Sequence, residues 1–209
     1  MKKYIITFIV IVLLISGGIW VWNNLNISKN QQQAQKNSLN YQAERSATQK
    51  RVENSKKKET EIATFSTKIY NKDKERQNNI TITCNTLSAK EVQPGETFSF
   101  CDTVGKATHE KGYEEADIYV EGRKEQGLGG GNCQVSTTLY NAVLKVPELE
   151  VMERHQHSGY VPYIEKGKDA AVSYGTYDFK FKNNTNCVIR IIMENTVENI
   201  TAKLIKIEK

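Results

Sequence analysis

A cysteine that follows a run of glycines, and two histidines spaced two apart, are the residues here whose types and spacing could do chemistry. The stretch GLGGGN, Gly127 to Asn132, runs directly into Cys133 and then QVSTTLYNAVLKV. In that second stretch Val135, Leu139, Ala142, Val143 and Val146 recur at the spacing of a helix buried on one side. Asn132 stands where an N-cap should stand, which puts Cys133 in the first turn. There, unpaired N–H groups and the positive end of the helix dipole favour a thiolate. The same N–H groups can receive an oxyanion, and glycines let the backbone approach a substrate as no bulky residue could. Gly129, Gly130, Gly131, Asn132, Gln134 and Ser136 are therefore the expected substrate and oxyanion loop. Phosphate binders also place a glycine-rich loop before a helix, but no G-K-[ST] follows here and the spacing fits neither nucleotide motif.

Two of the three histidines lie together in Glu153-Arg154-His155-Gln156-His157-Ser158. A cysteine with a histidine elsewhere in the chain is the minimal kit for thiol catalysis, the imidazole taking the thiol proton and returning one to the leaving amine. Asp169 and Asp178 are candidates to orient that imidazole. A lone cysteine is more often a buried helix residue; the glycine loop and the H-x-H pair weigh against that reading. Zinc bound by His155, His157 and Cys133 is a lesser alternative, since no fourth ligand cluster or familiar spacing accompanies them. The expectation is no metal and no cofactor. His109, in a polar stretch, reads as a surface residue.

The elements that must position these groups point to an α+β domain, an antiparallel sheet packed on the helix that begins at Cys133. Residues 76–87 are ambiguous, because Ile80, Cys84 and Leu87 keep helical spacing while ITIT alone favours a strand; helix is the expectation. Pro94-Gly95 marks a turn before an extended piece over residues 97–100, and residues 117–120 suit a strand. From Phe179 the period changes to two; residues 183–186 form a turn, residues 187–193 an apolar strand, and residues 200–207 a last strand.

Residues 4–22 carry no charge and as a helix would reach roughly 28 Å, enough to span a bilayer. Lys2 and Lys3 precede this run and nothing basic follows closely, so the charge bias keeps the N-terminus inside and sends the remainder across the cytoplasmic membrane. An uncleaved anchor over residues 1–22 is preferred to a cleaved signal peptide, because the run is long and lacks a clear small-x-small exit. Residues 23–60 are rich in Gln, Asn, Lys and Ser and read as a polar, basic stalk. Eight basic residues against three glutamates give that stretch +5, so residues 61–209, the expected folded domain, carry a formal −2. A basic excess on a stalk and not on a folded face argues against nucleic acid as a partner. Protein partners are not indicated. The cysteines, Cys84, Cys101, Cys133 and Cys187, have neither C-x-x-C spacing nor the density of a disulfide scaffold.

The blocks TFSTKIYN, PGETFSF, GGGNCQVSTTLYNAVL, ERHQHSGYVPY, DAAV and YDFKFKNNT, taken in order, resemble the VanW family across nearly all of residues 61–209. The resemblance implies a surface protein of Gram-positive bacteria of the kind associated with glycopeptide-resistance clusters. It further implies L,D-transpeptidation, in which peptidoglycan stem peptides are joined through a thioester on cysteine. Carried onto this chain, it makes Cys133 the nucleophile and His157 the base, with His155 second. Arg154, Ser158 and Tyr163, with Asp169 and Asp178, are the expected orienting or support residues. Cys101 and Cys187 depart from the family pattern; with Cys84 they are expected to be structural, as buried thiols or as partners in a disulfide. A non-catalytic wall-binding module and a zinc amidase or peptidase are the competing readings.

Overall fold

The computed structural model describes residues 33, 35–49, 58–120 and 123–208. The chain divides into two units, one up to Lys56 and one from Lys57. In the first, residues 35–49 form a helix, α1, exposed along its whole length, as its polar composition requires. The apolar run at residues 4–22 lies outside the described residues. No described helix is long and apolar enough to cross a membrane.

The second unit is mixed α+β with antiparallel sheets. A four-stranded sheet has the order β1-β9-β8-β2, formed by Lys58–Lys68, Asn199–Glu208, Val188–Asn195 and Glu91–Val92. β1 thus begins within the stretch assigned from composition to the stalk, pairing Lys58 with Glu208. A three-stranded sheet, β3-β7-β6, joins Thr97–Ser99, Lys180–Asn183 and Leu149–Glu153, and β4 (Glu115–Val120) pairs with β5 (Arg123–Leu128) as a hairpin. Alternation sets the faces: Ile189, Ile191 and Met193 point inward, while Arg190 points outward to Glu59 and Glu91, both at 2.8 Å. The less clean alternation in β9 coincides with a register shift in its partner between Glu61 and Ala63.

Helix α2 (Lys74–Leu87) resolves the ambiguous segment. Its β-branched residues cost a few tenths of a kcal/mol each in a helix, roughly, whereas burying Ile80 or Leu87 returns about 1.5–3 kcal/mol. The expected extended piece stops at Ser99, whose hydroxyl accepts the Asp102 N–H at 2.9 Å and caps the short helix α3 (Phe100–Val104). Helix α4 (Asn132–Val143) packs on β1, β9 and α2. Val135, Leu139, Ala142 and Val143 are completely buried, as their spacing predicts. Below α4, Phe98, Phe179 and Phe181 stack with centroids 5.0–6.5 Å apart, and Tyr140 meets Phe179 edge-on at 5.5 Å.

Candidate active site

The turn that delivers Cys133 is built by contacts from α2. Asn79, fully buried, donates to Glu114 O at 2.8 Å and to Gly130 O at 3.3 Å, and accepts from Glu114 N at 2.9 Å. Four residues on, the Thr83 hydroxyl donates to Asn132 Oδ1 at 2.7 Å and meets Tyr113 Oη at 2.9 Å. Asn132 is therefore not the cap. Gly131 is, with φ +113, a left-handed conformation that excludes most side chains, while the Asn132 carboxamide is engaged with Thr83. At Gly130 the restriction is one of space, since a Cβ would lie 2.7 Å from Asp117 O and 2.9 Å from Ala116 Cβ. Gly130→Ala is expected to force β4 away from the turn and cost about 1–3 kcal/mol, read as a lowered denaturant midpoint with unchanged slope. An unchanged midpoint would show that this contact yields freely.

The expected set of open N–H groups is narrower than the sequence suggests. Asn132 N–H donates to Gly129 O, and the N–H groups of Gln134 and Val135 both donate to Gly131 O, at 2.9–3.2 Å. Among the described residues, the Cys133 N–H is the one of these first four left without a backbone acceptor. Gln134 and Ser136 turn inward. Buried Gln134 donates to Thr67 Oγ1 at 3.1 Å and Lys68 O at 2.9 Å, and Ser136 donates to Ala170 O. Gln134 thus shapes the site from behind, and Ser136 braces α4 against the segment that carries Asp169.

The Cys133 thiol lies against the Val172 backbone, donating to Val172 O at 3.4 Å and accepting from Val172 N–H at 3.5 Å. The His157 imidazole lines the same cavity and lies close enough for the thiol to act on its titration. His157 Nδ1 lies 2.7 Å from Asp169 Oδ2, and the same oxygen accepts the His157 backbone N–H at 2.6 Å. A carboxylate on Nδ1 holds the proton there and leaves Nε2 as the basic nitrogen for the thiol. Arg154 fixes Asp169 in turn, donating to Asp169 O at 2.5 Å, Gly167 O at 2.8 Å and Asp169 Oδ1 at 3.1 Å.

Burial disfavours the His157 cation, but the hydrogen bond and charge of Cys133, followed by those of Asp169, outweigh it and raise the pKa. Burial likewise pushes the Asp169 carboxyl up, yet the hydrogen bonds from His157 prevail and lower it. Tyr163 is held well above the usual phenol range by burial and then by the Cys133 charge, so it stands beside the site as a neutral hydroxyl. Its ring meets His157 edge-on at 6.5 Å. Cys133, His157, Tyr163 and the glycine turn line one cavity of about 610 Å³.

The other nominated residues fall elsewhere. His155 Nε2 meets Glu153 Oε1 at 3.0 Å and its ring packs on Tyr177 at 4.7 Å. Lys180 and then His155 hold Glu153 at a pKa of about 2. Asp178 serves this second network and not His157: it accepts from Ser99 Oγ at 2.6 Å and from the Cys101 N–H at 2.8 Å. Ser158 is exposed. Among the described residues no group of three or more His, Cys, Asp or Glu gathers as a metal site. No disulfide joins the four cysteines; Cys84 is buried, and Cys101 lines the Cys133 cavity.

A family model described as VanW like protein matches residues 75–205, which contain every residue of this constellation. The chain belongs to the VanW family. Its VanW region is 41% identical over 131 residues to a protein of Bacillus subtilis (strain 168) named uncharacterized protein YoaR, covering 63% of this chain and 43% of that one. It is 34% identical over 121 residues to the vancomycin B-type resistance protein VanW of Enterococcus faecalis (strain ATCC 700802 / V583), covering 54% and 42%. The chain thus spans less than half the length of these VanW relatives. No solved structure matches it.

Residues that sequence reasoning missed sit on α2. Arg76, Asn79 and Thr83 follow one helical face at i, i+3 and i+7, and all three turn toward the glycine loop or the start of α4. A polar stripe inside an otherwise apolar helix face was the available signal.

Proposed function

We propose that this protein is an extracytoplasmic cysteine acyltransferase of the cell wall, of the L,D-transpeptidase type. The observation that carries the reading is Cys133 lining one cavity with a histidine that Asp169 holds in one tautomer and whose titration the thiol shifts. Cys133 Sγ gives its proton to His157 Nε2 and attacks the carbonyl carbon of the third residue of a tetrapeptide stem. The new C–S bond forms, and the C–N bond to the terminal D-alanine breaks as His157 returns the proton to the departing amine. A side-chain amine of a second stem then attacks the thioester, losing its proton to His157, and the thiolate leaves. Water in place of the amine gives a shortened stem. In this reading the Cys133 N–H, which has no backbone acceptor, and the neutral Tyr163 hydroxyl donate to the tetrahedral oxyanion.

The wall as site of action rests on the charge pattern around residues 4–22 and on a relative named for vancomycin resistance. The test is incubation of the protein with disaccharide tetrapeptide followed by mass analysis. Released D-alanine, a three-to-three linked dimer or an acyl adduct on Cys133 is expected. Binding of the stem with none of these products would replace transfer by a non-catalytic wall-binding role.

A further inference from the structure

We infer that Arg76 is the carboxylate-binding residue of the Cys133 cavity, so that the acyl donor ends in a free carboxylate one residue beyond the bond that is cleaved. This deepens the acyl-transfer reading above and rests on it for the identity of the donor. Arg76 is the third residue of α2, 57 positions from Cys133 in sequence, yet lines the same cavity. Its NH2 group donates to Gln134 Oε1 at 2.7 Å. Gln134 is itself immobilised by its bonds to Thr67 Oγ1 and Lys68 O, so the guanidinium plane is held from behind.

The opposite nitrogen lies at the glycine turn. A Cβ on Gly131 would come within 3.5 Å of Arg76 NH1 and 2.7 Å of Ile80 Cγ1. Gly131 is two residues before Cys133, so the guanidinium edge and the nucleophile flank one bend of backbone. The Arg76 charge also reaches the Tyr163 hydroxyl, which in turn lies close enough to Cys133 to feel its charge. Arg76, Tyr163 and Cys133 therefore border a common space.

A residue leaving from an acylated cysteine carries its carboxyl carbon about 2.5 Å from the departing nitrogen. A cation that recognises it must stand this close to the nucleophile, and the planar fork of arginine matches two carboxylate oxygens. Asp117 lines the same cavity, but its oxygens take hydrogen bonds from Asn71 Nδ2 at 2.9 Å and Gln126 Nε2 at 2.7 Å. Among the described residues Lys106 and His157 line the cavity with Arg76, so an anionic terminus meets basic side chains there.

The experiment uses the full chain in detergent with Cys133→Ala, so that binding is read without turnover. Isothermal titration compares a stem peptide ending in D-alanine with the same peptide ending in D-alanine amide. The free acid is expected to bind about 10- to 100-fold more tightly, and Arg76→Gln to erase that preference. Equal binding of acid and amide with Arg76 in place, no binding of either, or a preference that survives Arg76→Gln overturns the inference. The first comparison needs no change at Arg76, so it stands even if a variant misfolds. Wild-type protein that forms no adduct yet keeps an Arg76-dependent acid preference would remove the transfer reading alone. Wild-type protein that acylates Cys133 equally fast from acid and amide would remove the Arg76 inference alone.

Discussion

Alanine in place of Cys133 is expected to end acyl transfer while leaving the fold intact. The thiol's hydrogen bonds go to the Val172 backbone and it lines a cavity, so its loss should cost about 1 kcal/mol of stability or less. Cys187 does not line this cavity. Cys101 lines the same cavity, but burial and then the Asp178 carboxylate push its pKa up to about 12, so it stays protonated and unreactive at neutral pH. Cys84 is likewise raised to about 12 by burial in the core. Mass analysis of the stem substrate and of the intact protein should show no released D-alanine and no adduct in Cys133→Ala. Undiminished product in that variant, or a wild-type adduct mapped to Cys101, would end the nucleophile assignment.

The centre of this arrangement was legible because it depends on local pattern. Helix α4 follows from a 3.6-residue apolar period, and Cys133 must then sit beside whatever the glycines allow. The position of the cap was not legible to one residue. That depended on where the Asn132 carboxamide would point, and Thr83, 49 positions away, decides it. The same limit hid Arg76. Its spacing with Asn79 and Thr83 marks a polar stripe, but its partner Gln134 is 58 positions distant, so the spacing does not say what that stripe meets.

Choosing between Asp169 and Asp178 illustrates a different limit. Both follow the histidines in sequence, and both lie in or beside irregular chain where no period indicates a facing partner. The structure separates them by topology. Asp169 sits in the segment that Ser136, Thr137 and Asn141 of α4 grip through Ala170 and Lys168, which brings it beside the helix start. Asp178 instead lies two residues before β7 and is committed to Ser99 and Cys101 at the edge of the three-stranded sheet. His155 follows Asp178's side of the division: its backbone bridges Ala171, and its ring is drawn to Glu153 and Tyr177. Two histidines that look alike in sequence are thereby assigned to two separate polar networks.

Replacing His157 with alanine is therefore expected to lower acylation of Cys133 by about 10²- to 10⁴-fold, while His155→Ala, which disturbs only the Glu153 network, changes it far less. The same geometry sets the titration of His157. Burial alone would lower its pKa, so a midpoint above the usual value of about 6.5 can arise only from the anionic partners around it. Because the folded pKa is raised, the imidazolium contributes stability that is fully present below about pH 6.5 and is lost as pH rises through the folded midpoint. Removing the Cys133 sulfur takes away the largest raising contribution and should lower the midpoint most; Asp169→Asn should lower it by less. NMR titration of the His157 ring protons reads all three midpoints. A wild-type midpoint at or below about 6.5, or one that neither substitution moves, would mean that His157 is not coupled to the thiol and could not serve as its base.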